Sequence, residues 1–260
     1  MALLQLTRAG RVAIMTLNDP ARRNALNVDM CDGMVAAIDE LEADDTVGAL
    51  VVTGSGSSFC AGADLSQLGS SQRDGLKRIY AGFLRVASCR LPTIAGVNGA
   101  AVGAGMNLAL ACDVRIAGSS ARFDTRFLDL GIHPGGGHTW MMRRIVGPQT
   151  TAAMVLFGQV LDSVEAERVG LVWKAVPDVE LLDTAITMAA RAATGPADLV
   201  PKVKETIAAM ATVDDHDAAV ERELDPQVWS INQPAFAERL AALQQKITSG
   251  PTDPFTSSPT

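Results

Sequence analysis

The chain has 260 residues, 48% of them hydrophobic, enough to bury most of its unfolded surface in one or two cores. Its 22 basic residues stand against 29 acidic ones, a net charge of -7, which argues against a nucleic-acid or anionic-membrane surface because either requires a dense positive field. A phosphate-bearing ligand would have to be held by a few local Lys or Arg side chains or by backbone amides.

From the N-terminus, the alternation in "LLQLTR" and the β-rich "RVAIMTL" predict two strands in a hairpin-like pair, broken at Ala9 and Gly10. "NDPARRNALN" is turn chemistry. Cys31, Met34, Val35, Ile38 and Leu41 then recur at helical spacing from Val28 onward, and "VGALVVTG" (47 to 54) is a continuous apolar run of the kind buried on both faces of a sheet. The alternation repeats with "LKRIYAGFLRVAS" as helix, "PTIAGVNG" as strand, "GAGMNLALAC" as helix and "DVRIAG" as strand, so the chain reads as a stack of β-α units. Beyond about residue 140 helical patterns dominate to about 248, with "VWKAV" a short exception. The last stretch, "SGPTDPFTSSPT", has no periodicity and is expected to be disordered.

The four cysteines, Cys31, Cys60, Cys89 and Cys112, are widely separated with no C-x-x-C pair, so neither a disulfide framework nor a zinc ribbon is supported. Buried, reduced thiols in a cytoplasmic protein are expected. "MALLQLTRAGR" has too short an apolar stretch for a secretory signal, and "AAVGAGMNLALAC" is too short and Gly-rich to span a bilayer, so the chain is read as soluble, without membrane insertion.

Two strand-to-helix junctions stand out. "VVTGSGSSFCAGADL" places Gly54, Gly56 and Gly62 after a buried strand, and "AGVNGAAVGAGMNLAL" places Gly99, Gly103 and Gly105 before a helix. Glycine permits close backbone approach and positive φ, and amides at a helix N-terminus point outward with the positive end of the macrodipole behind them. Two such ends facing each other would put two N–H donors around one oxygen, an oxyanion hole. The plain alternative is that these glycines serve only tight turns and close packing.

In combination these stretches resemble the crotonase superfamily, the enoyl-CoA hydratase/isomerase family. "NDPARRNALN" resembles its early signature, "SFCAGADL" its first oxyanion loop, "IAGVNGAAVGAGMNLALACDVRIA" its second and "LGIHPGGG" its Pro-Gly-rich segment, a match running from about residue 3 to about 245. The resemblance implies an α/β fold of repeated ββα units forming two roughly perpendicular sheets. It divides the chain into a core over 1–195, a helical oligomerisation region over 196–248 and a tail over 249–260, and it implies a homotrimer or homohexamer. The implied substrate is an acyl-CoA thioester of fatty-acid or related acyl-CoA metabolism, with no cofactor apart from the coenzyme A that belongs to the substrate.

Residue by residue, the resemblance puts the oxyanion amides on Ala63 and on Ala104, where the family usually has Gly. Gly62 would let the chain turn so that the Ala63 amide faces a thioester oxygen, and Asp64 is placed to cap the short helix that follows. The substrate-binding positions it implies are Arg22, Arg23, Ala25, Ala61, Asp64, Leu65, Asn107, Phe127 and His133. Arg22 and Arg23 fall in the segment flanking the CoA nucleotide, where they would meet phosphates; a solvated basic pair is the plain alternative.

One departure from the family pattern matters chemically. Hydratases of this family hold a water between two glutamates, and here those positions read Asn107 and Phe127. Asparagine cannot accept the water's proton and phenylalanine can do nothing for it, so a two-glutamate hydration is badly impaired. Asp124 and Asp129 flank Phe127, and "GIHPGGGHTW" holds His133 and His138. Family members place acids and bases at several points around the same hole, and Asp129 and His138 are the candidates to replace the glutamates; local capping or loop packing is the alternative for each. No metal site is expected, because no carboxylate follows the two histidines at ligand spacing. Phe127 would make the pocket floor apolar, suited to an acyl or aromatic acyl group. The other whole-protein reading is a non-catalytic acyl-CoA binding protein. A serine hydrolase or a dinucleotide enzyme is disfavoured, since neither G-x-S-x-G nor a complete G-x-G-x-x-G after a strand occurs.

Overall fold

In the computed structural model, which describes residues 2–64, 66 and 72–248, the two N-terminal apolar runs form β1 (Leu4–Ala9) and β2 (Val12–Leu17), antiparallel with Ala9 opposite Val12. Gly10 takes φ 59 in the turn between them, a conformation that glycine adopts at little cost. The helix α1 (Val28–Glu42) follows, its N-cap Asn27 accepting from the Met30 amide at 2.8 Å. Then come β3 (Ala49–Gly54), β4 (Ser58–Cys60), α2 (Gln72–Ala87), β5 (Thr93–Val97), β6 (Ala100–Val102), α3 (Ala104–Ala111), β7 (Val114–Gly118), β8 (Arg122–Asp124) and α4 (His138–Val155). β3, β5 and β7 are each followed by a short strand and then a helix, which is the ββα repeat. The unit closes with β9 (Leu161–Asp162), α5 (Ser163–Arg168), β10 (Lys174–Val176) and α6 (Leu181–Ala193).

The five longer strands and the three-residue β10 make one six-stranded sheet in the order β1-β2-β3-β5-β7-β10, parallel except for the β1–β2 pair. Alternate residues of its strands enter different cores. Ala13, Met15, Leu17, Leu50, Val52, Ala95 and Val97 join the larger core, which also holds the buried faces of α1, α2 and α3. Val12, Ile14, Ala49, Val51, Ile94 and Ile116 face the other way, against Leu181, Ala185, Ala189 and Ala193 of α6. A period of two on a sheet covered on both faces makes every position apolar, which is why these strands read as unbroken hydrophobic runs. A fully buried side chain such as Met15, Leu50 or Phe83 contributes about 1.5–3 kcal/mol by leaving water.

The second sheet, β4-β6-β8-β9, has four strands of two or three residues. None of these strands was expected from periodicity, because a three-residue strand is too short to display any. The cysteines are all free and buried. Among the described residues no helix is long and apolar enough to cross a membrane.

Contacts divide the chain into two compact units, Met1–Gly195 and Pro196–Thr260. The described part of the second is helical: α7 (Leu199–Ala209), α8 (His216–Ile231), N-capped by Asp215, and α9 (Pro234–Thr248). Within it the Lys202 ammonium sits 4.6 Å from the Trp229 ring centre. The expected tail over 249–260 lies outside the described residues.

Candidate active site

Strands β4 and β6 are parallel neighbours, so the loops leaving their C-terminal ends emerge at the same sheet edge, the usual place for a site in an α/β fold. The first loop runs from Ala61 to Asp64. The second is a single glycine, Gly103, after which α3 begins at Ala104. Their approach depends on two absent side chains. Gly62 has φ 117, and a Cβ there would also lie 3.3 Å from the Val102 carbonyl oxygen; a Cβ at Gly105 would overlap the Cys60 carbonyl oxygen. The helix N-terminus is thus packed onto the backbone of the first loop.

Hydrogen bonds set the direction of each amide. Leu26 forms a parallel bridge with Ala63: its N–H donates to Gly62 O at 2.7 Å, and its carbonyl accepts from the Asp64 N–H at 2.8 Å. That pattern uses the groups on either side of Ala63 and turns the Ala63 N–H away from Leu26, where it meets no acceptor among the described residues. On the other loop, Gly103 N–H donates to Asp124 O at 2.9 Å and Asn107 N–H closes the first helical turn onto Gly103 O at 3.0 Å. The Ala104 N–H is one of the amides a helix start leaves without an intrahelical partner, at the positive end of α3. It too has no acceptor among the described residues. The Cys60 thiol donates to Gly62 O at 3.7 Å and braces the loop; burial pushes its pKa up to about 12, so it stays protonated.

The turn segment ahead of α1 is tied to this edge by Asn24, which sequence reasoning passed over as turn chemistry. Asn24 is fully buried at φ 59, and its Nδ2 donates to Ser55 O at 2.9 Å and to Ser58 O at 2.8 Å while its Oδ1 accepts from the Asp19 N–H at 2.9 Å. Ala61 N–H donates to Arg23 O at 3.0 Å. Arg22, Arg23 and the half-buried Ala25 therefore lie beside the first loop. Both arginine side chains are exposed, and Arg22 is 3.4 Å from Asp19. Asp64 is half-buried and its Oδ1 accepts from the Ser66 N–H at 3.1 Å. Leu65 lies outside the described residues.

The segment after β8 separates the remaining candidates. Phe127 is buried, and its ring lies against Gly103 and, edge to face, against the His138 imidazole with centroids 4.9 Å apart. His138 is the first residue of α4 and only 1% exposed. Its Nδ1 is 2.7 Å from Asn107 Oδ1, and Asn107 Nδ2 donates to Gly135 O at 2.9 Å. Burial pushes the His138 pKa down to about 4, and the helix N-terminus it sits on acts in the same direction. Asp129 occupies an exposed turn, with no hydrogen bond or ion pair to the Asn107–His138 pair. His133 is exposed as well, its Nδ1–H donating to Pro134 O at 2.7 Å. Asp124 is buried and paired with Arg126. The structure thus joins Asn107, Phe127 and His138 in one cluster and leaves Asp129 and His133 outside it.

Two further residues belong to the same wall. Tyr80 and Phe83 of α2 make a tilted ring pair with centroids 5.6 Å apart and pack directly against Gly135 and Gly136. Their i, i+3 spacing is an ordinary core pattern and carried no sign of the site. Among the described residues no three His, Cys, Asp or Glu side chains are grouped as metal ligands.

A family model described as enoyl-CoA hydratase/isomerase matches residues 7–246. A Mycobacterium tuberculosis protein named probable enoyl-CoA hydratase EchA14 is 50% identical over 244 residues, covering 90% of this chain and 94% of that one. An Escherichia coli protein named 1,2-epoxyphenylacetyl-CoA isomerase is 34% identical over 243 residues, 90% of this chain and 92% of its own. Among solved structures, an enoyl-CoA hydratase from Bacillus anthracis matches with a TM-score of 0.89 at 27% identity, covering 94% of this chain and 97% of that one.

Proposed function

Because the chain belongs to the enoyl-CoA hydratase/isomerase family, we propose that it is an enzyme that holds an acyl-CoA thioester against the edge where β4 and β6 end and polarises the thioester carbonyl with the Ala63 and Ala104 amides. The observation that carries this reading is the pair of amides without acceptors on two adjacent loops, whose approach needs Gly62 and Gly105. Such donors stabilise the negative oxygen of an enolate, and removing one typically lowers the rate by about 10² to 10³. Ala104 keeps the donor despite its methyl group, because only the backbone N–H is used.

The acyl group would lie along Phe127, with Ala25, Ala61, Asp64 and Leu65 contributing to the binding segment. The exposed Arg22 and Arg23 are free to reach the phosphates of the CoA nucleotide. Coenzyme A arrives as part of the substrate and no other cofactor is used. With Asn107 and Phe127 at the positions of the family's two glutamates, the acid-base work falls to another group. The buried His138 is favoured over Asp129, which stands in an exposed turn away from the cluster. Function in cytoplasmic acyl-CoA metabolism as a homotrimer or homohexamer completes the reading; light scattering that gave a monomer mass would remove the assembly.

A second reading, an acyl-CoA binding protein without turnover, draws its support from the apolar Phe127 at a position where hydration needs a carboxylate. A panel of enoyl-, hydroxyacyl- and arylacetyl-CoA thioesters, followed by product analysis with binding isotherms in parallel, separates the two. Turnover of any member supports the enzyme, binding of several without turnover supports the binding protein, and binding of none overturns both.

A further inference from the structure

We propose that Asn107 is a positioning residue that holds neutral His138 with its proton on Nδ1, and that the lone pair this leaves on Nε2 is the proton acceptor of the site. The inference rests on the acyl-CoA reading above and adds to it the tautomer of the base, the nitrogen that takes the proton and the residue that orients it.

The Asn107 amide cannot be turned round. Asn107 faces the Gly135 carbonyl oxygen at 2.9 Å, and since a carbonyl only accepts, the nitrogen of Asn107 must point there. Its Oδ1 therefore points at His138 Nδ1, 2.7 Å away, and an oxygen that only accepts requires a proton on that nitrogen. A neutral imidazole carries one N–H, so Nε2 holds a lone pair. Burial keeps the ring neutral at ordinary pH, and no charged side chain contributes to that shift.

Among the described residues Nε2 is a buried side-chain nitrogen without a hydrogen-bond partner. Such an atom destabilises a fold, and where it persists an explanation is owed. Its surroundings supply one. The imidazole stands against Phe127, Phe127 stands against Gly103, and Gly103 caps the helix whose first amide is that of Ala104. The orphan nitrogen and the amide that would receive a thioester oxygen are thus linked through one aromatic ring.

The step is balanced without any further reagent. The C–H bond next to the thioester carbonyl breaks, its electron pair moves into the carbonyl to give an enolate held by the Ala63 and Ala104 amides, and the proton goes to Nε2. The imidazolium so formed keeps its Nδ1–H on Asn107 Oδ1, which disperses the new charge. The reverse step returns a proton, or in heavy water a deuteron, to the same carbon.

The test uses the full-length protein. Histidine-selective ¹⁵N labelling gives few signals, because the chain has three histidines. At neutral pH one of them, lost in His138→Asn, is expected as a neutral ring protonated at Nδ1 and bare at Nε2. That signature should survive Asn107→Asp, which keeps an acceptor, and vanish in Asn107→Leu. In parallel, phenylacetyl-CoA and butyryl-CoA are incubated with the protein in heavy water, and deuterium at the carbon next to the carbonyl is read by mass spectrometry. Wild type is expected to exchange; His138→Asn, which retains an N–H for Asn107, should lose about 10² or more of that rate, and Asn107→Leu about tenfold or more, with recovery in Asn107→Asp. A ring protonated at Nε2, or His138→Asn exchanging like wild type, would overturn the proposal. So would thioester binding without exchange in wild type. Absence of binding would instead overturn the acyl-CoA reading and the base role with it, while the tautomer is decided by the nitrogen spectrum alone.

Discussion

Lowering the pH should expose the buried imidazole as a stability defect. Burial penalises the charged ring and pushes the His138 pKa down to about 4, against about 6.5 for a solvated histidine. Between those values the unfolded chain holds more protons than the folded one, so stability falls as pH falls through 6.5 and stops falling, for this group, below about 4. The gap corresponds to about 3 kcal/mol, on the order of a quarter to a half of the stability of a typical domain. Chemical denaturation of wild type and His138→Asn, at fixed protein concentration and ionic strength, isolates the contribution. The carboxylates titrate in both proteins and cancel in the difference, and the substitution retains an N–H for Asn107. Wild type is expected to lose about 3 kcal/mol more than the variant between neutral pH and about pH 4. Parallel curves would mean that His138 is charged or solvated in the folded chain.

Three further outcomes follow from the loops. Asn24→Ala removes the donors to Ser55 and Ser58 and the acceptor for Asp19 N–H, and should destabilise the chain by about 2–4 kcal/mol in the same denaturation assay. Gly105→Ala raises helix propensity by about 1 kcal/mol, yet its methyl would overlap the Cys60 carbonyl; acyl-CoA binding or turnover should fall although the helix itself is favoured, and an unchanged isotherm would contradict the packing. Replacing Arg22 and Arg23 together by Ala should weaken binding of a CoA thioester, more so at low salt, and leave a pantetheine thioester without the nucleotide unaffected in calorimetry.

Much of the first unit was legible in the chain itself. The runs of β2, β3, β5 and β7 and the periodic face of α1 were readable because each buries whole faces, and burial writes a period into the sequence; the largely exposed β1 was readable from its alternation alone. The short strands β4, β6, β8 and β9 were not, since two or three residues carry no period, and they are held by neighbours far along the chain. The glycines at 62 and 105 were visible as punctuation, but what each one approaches was not.

At the site, local motifs were enough to single out the loops of Ala63 and Ala104 and to read Asn107 and Phe127 where the family resemblance implies glutamates, because residue types at fixed spacings define those positions. They could not choose between Asp129 and His138, which lie in one short segment and are both plausible proton carriers. Folding separates them: α4 begins at His138, which is buried against Asn107, while Asp129 is left in an exposed turn. Nor could a linear reading find Asn24, Tyr80 or Phe83, whose roles come from contacts with distant segments. Sequence determined which chemical groups are available; the tertiary structure decided which of them lose water and meet, because burial keeps the His138 imidazole neutral and Asn107, brought to it by folding, orients it.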